Sequence, residues 1–141
     1  MKSYRLTAIA GVAALAACLV TTSPAIAASA TASPTAAAQT GCADYTFTAS
    51  GQLAEGRTAT PWSYVISSQP GTINVCLDGP NAADFDLVLK RFAPGGLVTV
   101  ATSSGQGADK TLSYNGVPSA YRVEVVAISG SGPYSIGVNI P

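Results

Sequence analysis

The 141-residue chain contains no histidine, and that absence governs what its polar side chains can do. Hydrolysis by a serine nucleophile needs a base within hydrogen-bond reach, and imidazole is the usual one. A serine–lysine pair would instead need a buried lysine that gives up its proton readily. Lys90 and Lys110 fall at polar, turn-adjacent or outward positions, so no catalytic residue is assigned and the chain reads as no enzyme. The Gly-x-Gly pairs at Gly105/Gly107 and Gly130/Gly132 join strand-like segments and open no helix, so they make no phosphate cradle.

Three sets of residues retain other chemistry. Asp78, Asn81, Asp84 and Asp86 could hold a hard cation such as calcium, because Asp84 and Asp86 share one face of a strand and loop carbonyls could complete the shell. The reading we favour is that Asp78, Asn81 and Asp84 cap the turn before the strand through local backbone N–H groups, since no full calcium-loop pattern appears. No other cofactor is implied. Trp62, Tyr64, Phe92 and Tyr114 stand near strand ends or turns; exposed, such rings stack on sugars or grip protein side chains, and buried, they anchor a core. Cys42 and Cys76 are the only cysteines beyond Cys18. An even pair in an exported chain reads as a disulfide, with two free buried thiols as the alternative. The bridge would close a loop of about 33 residues and contribute about 3–4 kcal/mol in the chain-entropy model.

Export itself is read from the N-terminus. Lys2 and Arg5 precede an apolar run from Leu6 to Val20, and Ala25-Ile26-Ala27 supplies the small residues of a cleavage site, the layout of a secretory signal peptide over 1–27. A membrane-crossing helix needs about 20 apolar residues and this run has about 15, so no transmembrane segment is expected in the mature chain. Leu15-Ala16-Ala17-Cys18 is similar to a bacterial lipobox, which leaves lipidation of Cys18 as an alternative to cleavage after Ala27. The first outcome gives a secreted protein; the second gives one anchored at the outer face of the cytoplasmic membrane. Residues 28–40 are almost wholly Ala, Ser, Thr and Pro, too poor in large apolar groups to offset the entropy of ordering them. They read as a disordered spacer before a domain over 41–141.

Charge narrows the partners. The whole chain carries seven basic and seven acidic residues; loss of Lys2 and Arg5 with the leader leaves five against seven, a net of −2. Arg57, Lys90, Arg91, Lys110 and Arg122 are scattered, whereas a nucleic-acid binder concentrates its basic groups. The same sparse charge gives no attraction to an anionic membrane surface.

The elements that must position these residues are read from period-two patterning. Apolar residues alternate from Gly41 onward, broken by Gly, Pro, Asn and Ser. The alternation predicts strands at about Tyr45–Ala49, Trp62–Ser67, Thr72–Leu77, Phe85–Phe92, Leu97–Ala101, Lys110–Tyr114, Tyr121–Ile128 and Tyr134–Ile140. Inward rows are Phe85/Leu87/Leu89, Tyr121/Val123/Val125 and Tyr134/Ile136/Val138/Ile140. About eight short strands joined by tight turns make an all-β protein, an antiparallel sandwich of two sheets packed face to face.

The stretch Cys76-Leu77-Asp78-Gly79-Pro80, then Ala83-Asp84-Phe85-Asp86-Leu87-Val88-Leu89, then Ala120-Tyr121-Arg122-Val123-Glu124-Val125, then Ser129-Gly130-Ser131-Gly132-Pro133-Tyr134-Ser135-Ile136 resembles the bacterial pre-peptidase C-terminal domain. The likeness is greatest to the versions appended to secreted serine proteases of actinobacteria. It implies a jelly-roll-like β-sandwich that accompanies secreted peptidases, with relatives that bind collagen or other insoluble polymers; a catalytic domain is missing from this chain. The function expected is a non-catalytic accessory or binding domain for an extracellular protein or insoluble polymer. The alternative is a peptidase-associated regulator, chaperone or remnant of a secreted protease system.

Overall fold

The two segments with the most regular alternation pair with each other. Phe85, Leu87 and Leu89 on one strand and Tyr121, Val123 and Val125 on another are all at most 2% exposed, and the two strands run antiparallel with Leu87 opposite Val125 and Leu89 opposite Val123. The computed structural model describes residues 41–141; the expected signal peptide over 1–27, the expected spacer over 28–40 and Cys18 lie outside the described residues.

Nine strands occur there: β1 (Phe47–Leu53), β2 (Thr58–Ala59), β3 (Val65–Ser67), β4 (Gly71–Asp78), β5 (Asp84–Ala93), β6 (Gly96–Ser103), β7 (Lys110–Gly116), β8 (Ser119–Ser129) and β9 (Gly132–Asn139). One sheet has the order β1-β9-β4-β7 and the other β2-β8-β5-β6, with β3 also on β8. All pairs are antiparallel. Successive strands cross repeatedly between sheets, the nested pattern of a jelly roll. The inward rows of both sheets, including Ile73, Val75, Leu77, Ile136 and Val138, form one buried cluster. Among the described residues no helix is long and apolar enough to cross a membrane.

Two strands differ from the sequence reading. The expected strand Trp62–Ser67 is confined to β3, and the short β2 precedes it. Both lie on β8, where six residue steps from Ala59 to Val65 span the four from Val125 to Tyr121. Pro61 has no N–H to donate to a ladder, so the chain bulges between the two pieces. The first strand begins at Phe47 rather than Tyr45, because residues 41–46 leave the sheet and cross its outer face. There Tyr45 presses on Gly137 so closely that no side chain would fit, and Thr46 N–H and Oγ1 both donate to Asn139 Oδ1 (2.7 and 2.9 Å).

Lys110 also departs from expectation. Placed by pattern in a polar or outward position, it opens β7 on the inner face and is only 7% exposed. Alternation carries it inward with Leu112, and the burial is tolerated because its ammonium donates to the Gly107 carbonyl and lies 3.7 Å from Asp84 Oδ1 of the other sheet.

Candidate binding face

The outer faces of the two sheets are built from different chemistry. On the four-stranded sheet, the outward positions are Thr48, Ser50 and Gln52 of β1, Thr72 and Asn74 of β4, Thr111, Ser113 and Asn115 of β7, and Ser135 and Asn139 of β9. Several bond one another, as in Thr72 to Asn115 (3.0 Å) and Ser113 to Asn74. The disulfide of Cys42 with Cys76, Cα atoms 5.7 Å apart, fastens the crossing segment 41–46 onto this face. It explains why Cys76, on the outward side of β4, is 7% exposed. A shallow groove of about 370 Å³ beside it is lined by small residues such as Ala43, Thr48 and Ser50.

The outer face of the five-stranded sheet is apolar at one end. Ile66 of β3 pairs with Ala120, and Phe92 of β5 pairs with Leu97 across a tight turn. That turn is fixed by Pro94, whose ring sets φ, and by Gly95, which takes φ of +100°. Tyr64, Ile66 and Phe92 are 55, 59 and 39% exposed. The Tyr64 and Phe92 rings meet edge to face with centroids 6.4 Å apart, and the Arg122 guanidinium lies 5.6 Å from the Phe92 centroid. Arg122 Nε donates to the Ser63 carbonyl (3.4 Å), and Ser119 Oγ donates to the Phe92 carbonyl (3.2 Å), so the ends of β3, β5 and β8 are tied beneath the patch. Further along, Lys90 and Glu124 close an ion pair at 2.7 Å.

Of the four aromatics singled out from sequence, Tyr64 and Phe92 are therefore brought together. Trp62 and Tyr114 are partly buried and pack against the core, Tyr114 edge to face with Tyr121 at 6.2 Å. Ile66 and Arg122 belong to the patch but were not singled out. Their signal was parity: each stands on the side of its strand opposite the core row.

The carboxylates do not gather. Asp78 Oδ2 accepts from the Gly41 N–H (3.0 Å), which is a distant rather than a local partner. The turn N–H of Gly79 is capped by Asp109 (3.0 Å), and the turn at Asn81 closes through Ala83 N–H to the Pro80 carbonyl (2.9 Å). A register shift between Asp84 and Phe85 sets Asp84 toward Lys110, while Asp86 stays opposite Val126. Among the described residues no group of three or more Asp, Glu, Cys or His is arranged to hold a metal ion.

No protein-family model matches the chain. Its structure is similar to the pre-peptidase C-terminal domain of a collagenase from Bacillus anthracis, with a TM-score of 0.56 and 19% identity over 66% of this chain and 88% of that one. It is also similar to the Yersinia pseudotuberculosis-derived mitogen, with a TM-score of 0.53 and 18% identity over 67% of this chain and 85% of that one. At such identities the likeness is one of fold. The chain thus has the fold that its residue pattern around Cys76–Leu89 and Tyr121–Tyr134 implied; nothing in these comparisons bears on the narrower likeness to actinobacterial protease appendages.

Proposed function

We propose that the chain is an exported, non-catalytic binding domain that engages an extracellular protein or insoluble polymer through the Tyr64–Ile66–Phe92 end of its five-stranded sheet. The observation that carries this reading is the contrast between the two outer faces. One is polar and partly covered by residues 41–46; the other holds an exposed aromatic pair, Phe92 on β5 and Tyr64 just before β3. Clustered exposed apolar groups on an otherwise polar domain are what contact surfaces are made of. The disulfide supports an oxidising, extracellular setting.

Retention on insoluble collagen, chitin, cellulose and peptidoglycan tests the reading. At least one support should retain the chain, and Tyr64→Ala with Phe92→Ala should cut retention about tenfold or more, as expected for losing two central aromatic contacts. Retention by none, or retention unchanged in the double variant, sinks it. A second reading, association with a secreted peptidase, draws on the fold shared with a collagenase's pre-peptidase C-terminal domain. Co-purification with a protease, lost in the same double variant, would favour it.

A further inference from the structure

The proposed reading leaves the partner's chemistry open, and the surroundings of Arg122 narrow it. Resting on that reading, we infer that this face takes a protein segment presenting a carboxylate beside an aliphatic or aromatic side chain.

Arg122 is held in place before any partner arrives. Its Nε donates to the Ser63 carbonyl (3.4 Å) and its guanidinium carbon lies over the Phe92 ring, 5.6 Å from the centroid, so part of its side-chain freedom is already spent before binding. Its terminal nitrogens have no acceptor among the described residues. Bidentate pairing with a carboxylate is the use that such a fork best fits.

Charge complementarity gives the sign of the partner. Residues 41–141 carry two more acidic than basic groups, yet no carboxylate reaches Arg122. Glu124, on the same strand and face, is taken by Lys90 at 2.7 Å. Asp86 on the same face stands opposite Val126, four residues along β8 from Arg122. Glu55 accepts from Gly130 N–H (3.2 Å). A cation is thus left free beside an apolar patch, on a domain that is acidic elsewhere.

A polysaccharide fits these surroundings less well. Sugar rings stack on an open aromatic face and need donors and acceptors around it for their hydroxyls. Phe92 has Arg122 over its ring and Tyr64 against it, and Ile66 and Leu97 beside them offer no hydrogen bonds, so the Tyr64 hydroxyl and the Arg122 fork are the polar groups that remain at this end of the face. An apolar side chain seated against Ile66, Tyr64 and the exposed edge of Phe92, with its acidic neighbour on Arg122, uses the apolar groups and the cation together.

The test is a random heptapeptide library displayed on phage and panned against the full chain with its disulfide formed. Selected peptides should carry Asp or Glu next to an aliphatic or aromatic residue. A synthetic copy of the commonest peptide should lose about tenfold or more in affinity when its acid is replaced by the amide. Arg122→Gln should cause the same loss for the acidic peptide and none for the amide version, while Arg57→Gln, which removes the same charge elsewhere, changes neither. A melting curve matching that of the unmodified chain shows that Arg122→Gln folds. Peptides without carboxylates that still depend on Phe92 would overturn this inference and leave the proposed face standing. Peptides indifferent to Tyr64→Ala and Phe92→Ala would overturn both. Failure to enrich any peptide, or tighter Arg122-dependent binding of an oligogalacturonate than of every peptide, would overturn the inference as well.

Discussion

Tyr134 stands opposite Gly51 in the β1–β9 pair, and its ring fills the space that a side chain at Gly51 would need. Burial without a charge partner disfavours the phenolate, so its hydroxyl titrates above the ordinary tyrosine value of 10.0. With the folded value raised, the contribution to stability is whole below pH 10 and is lost as pH rises through the folded value. Alkaline melting curves should therefore fall more steeply above pH 10 for the native chain than for Tyr134→Phe; equal slopes would contradict this. Tyr134 was legible in sequence because alternation alone assigns it inward. Lys110 and Arg122 were not. Parity places a side chain on a face but does not say what the opposite sheet or the neighbouring strand sets against it. Asp84 and Phe92, the groups that give these two cations their surroundings, come from β5 and meet them only after the fold closes.

The strands show where local pattern suffices and where it stops. Phe85–Phe92, Tyr121–Ile128 and Tyr134–Ile140 were readable because each carries an unbroken apolar row, and the observed β5, β8 and β9 differ only at their ends. The edge position shared by β2 and β3 was not, since Thr58–Ala59 is too short for a period and Pro61 breaks the alternation before Trp62. Alternation predicts strand from Tyr45, whereas segment 41–46 crosses the outer face; its place there is set by Cys76, which sequence pairs with Cys42 but does not place on that face. The element-scale prediction concerns this clasp. Replacing Cys42 and Cys76 together by Ser should lower unfolding stability by about 3–4 kcal/mol and speed amide exchange in residues 41–46 beyond the change in β5 and β8. An unchanged denaturation midpoint would show that the clasp does not hold the domain.

At the scale of the molecule, one sandwich presents two unlike outer surfaces. Short polar side chains on the four-stranded sheet bond laterally to one another, and the clasped segment covers part of what remains. The five-stranded sheet keeps Tyr64, Ile66, Phe92 and Arg122 at one end, with the Lys90–Glu124 pair beyond them. The two-sheet architecture was legible from strand count and alternation, but which face would be open was not, because that depends on how the chain enters the first sheet. Footprinting by hydroxyl radicals on the chain bound to the support that retains it tests this asymmetry most directly. Protection is expected at residues 64–66, 91–98 and 119–122 with Cys42–Ser50 unchanged; protection along Cys42–Ser50 and β9, with Tyr64 and Phe92 still reactive, would contradict it.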